Sequence, residues 1–249
     1  IEYLRKKGLA KASKKSSREA NEGAIGVYSN ENNIAVIKVN SETDFAAKSE
    51  TFLNFIDELG NIILKNNNSN INKDDFLKLS YDKGSIADYF NSMIAKIGEN
   101  LILNDILVLE KNNQHFFYYI HNSYKDNIGK IVSLIKYETK NNNDEIKNFS
   151  KNLCMHIAAM KPESLDESDL DKKIIEKEKN IQRELIVSSG KPSNIVEKIL
   201  EGKMKKFFSD VTLYNQNYIL DSEKNIRSVI NELPNEYEYR LLSFNLVTL

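Results

Sequence analysis

Two stretches, Ile34-Ala35-Val36-Ile37-Lys38-Val39 and Val132-Ser133-Leu134-Ile135-Lys136-Tyr137, occupy matching places in the two halves of this chain. Each reads as the second strand of a hairpin, and each leads into a helix. In the first half, Gly26 to Tyr28 and Ile34 to Val39 are strand-like and flank the turn-rich Ser29-Asn30-Glu31-Asn32-Asn33. In the second half, Phe116 to Asn122 and Gly129 to Glu138 flank the turn Tyr124-Lys125-Asp126-Asn127. A repeated hairpin-then-helix pattern suggests an internal duplication. It suggests an α+β arrangement of two related subdomains, each an antiparallel sheet packed with helices.

The helices are read from their periodicity. Phe52, Phe55, Ile56, Leu59, Ile62 and Ile63 form one buried stripe, and further helices are expected over Ile86 to Ile97 and Asp144 to Met160. A strand is expected from Leu101 to Glu110, after the stop at Gly98-Glu99-Asn100. Residues 169 to 208 differ in character. Leu170, Ile174, Ile181 and Leu185 line a charged helix that ends at Ser188-Ser189-Gly190, and Lys191-Pro192 restarts the chain. Ile195, Ile199 and Phe207, with Val196, Leu200 and Met204 beside them, form the facing seam. Two polar helices with narrow apolar seams make an antiparallel coiled-coil helical hairpin. Val211 to Leu213 and Leu241 to Val247 read as strands. The expected boundaries are a basic helical linker over 1–20, a first core subdomain over 21–110, and a second over 111–249 with the hairpin 167–209 inserted.

Composition excludes more than it assigns. The formal net charge of −1 gives no global field for nucleic acid or an anionic membrane. The one local exception is the basic run Arg5, Lys6, Lys7, Lys11, Lys14, Lys15 and Arg18, read either as a solvated helix face or as a phosphate-contacting patch. Cys154 is the sole cysteine, which rules out an internal disulfide and favours a reducing compartment. No apolar run approaches the roughly twenty residues of a membrane span. There is no glycine-rich phosphate loop, no G-x-S-x-G elbow and no cysteine cluster, and His115, His121 and His156 lack a second ligand at metal spacing. The residues therefore point away from an enzyme, and no cofactor or metal is expected.

The candidate functional residues lie where the first apolar strand gives way to a helix, in Val39-Asn40-Ser41-Glu42-Thr43-Asp44-Phe45-Ala46-Ala47-Lys48. A carboxylate beside a large aromatic on a rigid corner is suited to prying at another protein. A plainer reading makes Thr43 or Asp44 a helix N-cap worth ~1 kcal/mol. Phe45 stands seven residues before Phe52 and could extend the buried stripe, yet Lys48 and Ser49 occupy the intervening positions. That break favours an exposed Phe45. In the second half, His156 lies among Leu153, Ile157 and Met160 and reads as a boundary histidine with one edge wet or as a contact residue, with Met155 ambiguous beside it.

Several strings taken together resemble the elongation factor Ts family, whose members promote nucleotide exchange on the translational GTPase EF-Tu. They are Ile1-Glu2-Tyr3-Leu4-Arg5-Lys6-Lys7-Gly8-Leu9-Ala10-Lys11-Ala12, Glu42-Thr43-Asp44-Phe45 and Ala95-Lys96-Ile97-Gly98-Glu99-Asn100. Met155-His156-Ile157-Ala158-Ala159-Met160-Lys161-Pro162-Glu163, Gly190-Lys191-Pro192 and Glu201-Gly202-Lys203-Met204-Lys205-Lys206-Phe207-Phe208 follow in order. The resemblance implies a non-enzymatic exchange factor with EF-Tu as partner, without a membrane or a specific nucleic acid; a homodimer is left open. It implies that Thr43, Asp44, Phe45 and Ala46 act near the second switch of the GTPase and dislodge its Mg²⁺. Met155 and His156 would form a second contact. Residues 1–20 would be the remnant of a joint to a missing small N-terminal, UBA-like helical domain. The implied location is the bacterial cytoplasm, or alternatively a mitochondrial or plastid matrix. The competing function is an RNA- or ribosome-associated scaffold using the basic N-terminal segment.

Overall fold

The computed structural model describes residues 15–66, 68–190 and 192–249, without the side chain of residue 193. Most of the basic 1–20 segment, including all but Lys15 of the helix read over Leu9 to Lys15, lies outside the described residues, as does Lys191 of the expected helix restart. The chain divides into two compact units, one running to Leu134 and taking in Asn245–Leu249, the other spanning Ile135–Phe244.

In the first unit, strands β1 (Glu22–Ser29) and β2 (Asn33–Ser41) form an antiparallel hairpin, with Val27 opposite Val36 and Ile25 opposite Lys38. The two-faced burial of β2 explains its unbroken apolar run: eight of its nine residues are buried. Helix α1 (Asp44–Ala47) and helix α2 (Glu50–Lys65) follow. Phe52, Phe55, Ile56, Leu59 and Ile63 of α2 bury the expected stripe together with Ala24, Ile37 and Val39 of the sheet.

The Asn-rich loop after α2 contains structure that the sequence pattern hides. Helix α3 (Lys73–Lys78) is capped by the Asn72 side chain accepting from Asp75 N and buries Phe76, and β3 (Ser80–Tyr81) pairs with β4 (Gly84–Ser85). Six residues are too few for helical periodicity to show. Helix α4 (Ile86–Ile97) begins with a Ser85–Asp88 capping box and ends at Gly98, whose φ of 89° is the left-handed region glycine adopts freely. Strand β5 (Leu101–Glu110) pairs with β2 across a bulge at Lys38/Val39. Strand β6 (His115–Lys125) pairs with β7 (Ile128–Glu138), and Ile25 and Gly26 of β1 pair with Gly129 and Ile128.

The compact units divide within β7, at Leu134/Ile135, whereas the sequence reading drew its boundary at 110/111. Packing explains the difference. Phe116 and Ile120 of β6 and Val132 and Leu134 of β7 share a core with Ile25, Val27, Ile34 and Val36.

In the second unit, the last residues of β7 lead to helix α5 (Asp144–Met160), capped by Asn143 and closed by Lys161 at a φ of 48°. Tyr239 stacks on Tyr137 and meets Phe149 edge-on, with ring centroids 5.2 and 5.3 Å away. Helices α6 (Lys172–Ser188) and α7 (Ser193–Val211) form the expected hairpin, bridged by Arg183 and Glu197 at 3.0 Å. On α7 the seam contains the expected Val196, Leu200 and Met204, with Ile199 and Phe207 packed against them, whereas on α6 it is turned by one residue from the sequence reading. Ile186, Val196, Leu200 and Met204 are buried with Ile175 beside them, while Ile174, Ile181, Leu185 and Ile195 are exposed. Helical side chains lean back towards the N-terminus, so a given surface spot is covered by the residue about one position further on. The expected strand at Val211 to Leu213 is instead the end of α7 and a 3-10 turn over Leu213–Asn215, with a lone parallel bridge between Ser164 and Thr212. Strands β8 (Asn217–Tyr218) and β9 (Asp221–Asn225), helix α8 (Ile226–Asn231) and strand β10 (Arg240–Thr248) complete the order, with β10 beside β7.

Helix α2 approaches β1 closely because Gly60 lacks a side chain. A Cβ there would lie 2.1 Å from the Tyr28 ring, and one at Gly26 would lie 2.7 Å from it. Tyr28 cannot give way easily, since its hydroxyl donates to Asp57 at 3.0 Å, and Lys125 and Asn127 also donate to that carboxylate. Gly60→Ala should therefore lose about 1–2 kcal/mol of stability, overpacking outweighing the roughly 1 kcal/mol of better helix propensity. Urea unfolding checks this, and an unchanged or higher midpoint would contradict the packing.

Candidate functional site

The corner after β2 is built from two caps in series. Thr43 has extended dihedrals (φ −126°, ψ 157°), and its Oγ1 accepts from Ala46 N at 3.2 Å, which makes it the N-cap of α1. Ser49 then caps α2, accepting from Phe52 N at 3.3 Å while its hydroxyl donates to the Ala46 carbonyl at 2.8 Å. Four helical residues are thus held between two side-chain caps. The capping and wedge readings of Thr43-Asp44-Phe45 coexist, because different residues serve them.

Phe45 is 84% exposed, the most exposed of the large apolar residues described, while Phe52 on the next helix is fully buried. The break at Lys48 and Ser49 separates the two environments. Asp44 lies beside Phe45, and its carboxylate accepts from Lys48 Nζ at 2.7 Å. That bond holds the Asp44 carboxyl below the usual carboxylate range, so it is ionised at neutral pH. An exposed i,i+4 pair of this kind orients the acid more than it stabilises the fold. Ala46 faces inward at 8% exposure and packs beneath the corner, so its side chain is not part of the outward surface.

A second loop, unforeseen from sequence, secures the corner. The Glu99 carboxylate accepts from Thr43 Oγ1 at 2.6 Å and from Thr43 N at 3.0 Å. In the reverse direction, Glu42 accepts from Asn100 N at 2.6 Å. Asn100 is buried and donates from Nδ2 to the Arg18 carbonyl at 2.8 Å, and Arg18 reaches Glu42 at 3.5 Å. Lys15 donates to the Gly98 carbonyl. The described end of the basic segment is therefore engaged with this corner. The sequence placed Glu99 directly after a helix-ending glycine and within one of the family-like strings, but neither signal gave it a role.

Met155 and His156 lie in the second unit, apart in sequence and unit from the Thr43–Ala46 corner. His156 is not a boundary residue: it is fully buried, because Tyr218 packs against its ring with centroids 6.0 Å apart and the 216–219 segment covers both nitrogens. Nδ1 accepts from Ile219 N at 3.3 Å, which places the proton on Nε2, donated to Gln216 Oε1 at 3.0 Å. Gln216 Nε2 in turn donates to the carbonyls of Asp210 and Met160 at 2.8 and 3.3 Å. Met155 is half-buried. Among the described residues no cluster of His, Cys, Asp and Glu could hold a metal ion, and no helix is long and apolar enough to cross a membrane.

The family model described as "Elongation factor TS" matches residues 42–248, beginning on the first residue of the corner. A relative named elongation factor Ts from Ehrlichia canis is 38% identical over 235 residues, covering 94% of this chain and 81% of its own length. The chain belongs to the elongation factor Ts family. Further members of that name come from Zymomonas mobilis, at 37% identity over 95% of this chain and 76% of theirs, and from Allorhizobium ampelinum, at 33% over 93% and 75%.

The buried imidazole carries a pH dependence. Burial disfavours its charged form and lowers the His156 pKa below its ordinary value near 6.5, against a smaller opposing effect of the Gln216 hydrogen bond. The unfolded chain then binds more protons than the folded one between the two values. His156 should consequently contribute stability that falls as pH drops through about 6.5 and levels off below the folded pKa. Proton NMR titration should show the His156 ring titrating below about 6.5; a midpoint at or above that value would refute its neutral, buried state.

Proposed function

We propose that the chain is a guanine-nucleotide exchange factor for EF-Tu and acts without covalent chemistry. The observation that carries the reading is Phe45, an aromatic side chain presented almost entirely to solvent on a doubly capped corner beside an ionised Asp44. A large exposed aromatic on a pre-organised mount is the kind of group that becomes an interface hot spot. Family membership supplies the partner.

In this reading the chain binds EF-Tu·GDP and inserts Asp44 and Phe45 near the second switch region. The wedge repacks that switch and dislodges the Mg²⁺ of the GTPase. Without the cation, repulsion within the diphosphate is uncompensated and GDP leaves, which opens the site to GTP. Tighter binding to nucleotide-free EF-Tu obliges the factor to weaken nucleotide affinity by the same coupling free energy. A second contact comes from the 155–160 region, where Met155 and the exposed Met160 are the large apolar side chains within reach of solvent. His156 serves it from beneath, by fixing Ile219 and, through Gln216, Met160. The setting is the bacterial cytoplasm.

Phe45→Ala should lower the acceleration of fluorescent-GDP release from EF-Tu by roughly thirtyfold or more, the equivalent of a ~2 kcal/mol hot spot. Its thermal stability should hold, because Phe45 is not part of the core. Wild-type release rates in this variant would remove Phe45 from the mechanism. A low-salt RNA gel shift addresses the scaffold reading, which needs salt-sensitive binding through the basic segment.

A further inference from the structure

We infer that Glu99 is the positioning residue of the exchange wedge, acting through Thr43 rather than on the partner. The inference rests on the exchange-factor reading and extends it to a residue 56 positions away in sequence.

Strand register sets up the arrangement. Beyond the bulge, β2 and β5 pair as Val39 with Leu103, Asn40 with Ile102 and Ser41 with Leu101. Continued past the strand ends, that register sets Glu42 opposite Asn100 and Thr43 opposite Glu99. Backbone pairing stops there and two carboxylates take over. Glu42 receives Asn100 N–H, and Glu99 receives both the N–H and the O–H of Thr43. The two acids point in opposite directions across the gap, so the loops interlock and cannot slide past one another by a residue.

The Glu99 contact also has a definite polarity. By accepting the Thr43 hydroxyl proton, it leaves a lone pair of Oγ1 facing Ala46 N, the donor that opens α1. The Thr43 carbonyl is held in turn, accepting from Ser41 Oγ at 3.0 Å and from Ala47 N at 3.2 Å. Every polar group of Thr43 is therefore committed, and the next residues in the chain are Asp44 and Phe45. Loss of the carboxylate frees the cap to rotate and lets the first turn of α1 fray, which moves the Phe45 ring without touching it. Charge-assisted bonds of this kind are about twice as strong as neutral ones.

The test uses Glu99→Gln, which keeps the side-chain volume, together with Glu99→Ala, Phe45→Ala and the Glu99→Ala/Phe45→Ala pair. Maximal GDP-release rate and half-saturating concentration are read separately with purified EF-Tu. Glu99→Gln should lower the maximal rate roughly tenfold, as expected for loss of one charge-assisted bond, with a smaller change in half-saturation. Amide exchange of Thr43 to Ala47 should rise while that of β1 and β2 holds, which separates positioning from general loosening. In the Phe45→Ala background, Glu99→Ala should cost little more, since both act through the same ring. An unchanged maximal rate in Glu99→Gln, or a full multiplicative loss in the double variant, would overturn the inference. Should Phe45→Ala itself exchange at the wild-type rate, the parent reading falls instead, and the two failures are told apart.

Discussion

The first unit depends on the burial of β2 on both faces. A strand packed on both faces resists slipping by one position, because every side chain would then enter a space shaped for its neighbour. Its partners β1 and β5 are fixed with it, residue by residue, over nearly its whole length. This rigidity is passed on at the end of the strand. Where the ladder stops, a register already set by the core places Thr43 and Glu99 face to face. The corner borrows its order from hydrophobic packing and needs no large stabilisation of its own.

Much of the local structure was legible because local rules govern it. The Phe52 to Ile63 stripe, the stop at Gly98 and the extent of α5 follow from periodicity, glycine conformation and Asn capping. The exposure of Phe45 was legible too, through two polar residues in the wrong place for a continuous core stripe. Glu99 was not, since nothing in a sequence states which strand ends will meet. Short elements escaped for a different reason: α3 has six residues and β3 and β4 two each, fewer than the windows over which a helical or strand period can be read. In the hairpin of α6 and α7 the pattern gave both helices and the buried line of α7 but missed the face of α6 by one residue, because Ile174 and Ile175 are both apolar and only packing chooses between them.

The second unit illustrates how a polar side chain can be essential in position yet absent from the surface. Pattern placed His156 at a boundary, among apolar neighbours near a helix end. The structure closes over it with Tyr218 and uses each of its nitrogens once. Gln216 extends the chain of bonds to two backbone carbonyls that have no helical donor of their own nearby, at Asp210 and Met160. One imidazole and one amide thereby tie the ends of α5 and α7 to the strand that follows them.

The slot that holds Tyr28 bears on how this sequence can change. Loop residues such as Asn32 and Asn141 are exposed. The ring of Tyr28 instead fills the space that side chains at Gly26 and Gly60 would need, on a strand and a helix at once. A substitution at either glycine is costly while the ring is there, and a smaller residue at 28 would leave a void and remove the bond to Asp57. The three positions can be exchanged only as a set. Exposed loop positions of this kind can change one residue at a time, whereas the seat of α2, and with it the direction in which the corner faces, can move only by coordinated replacement.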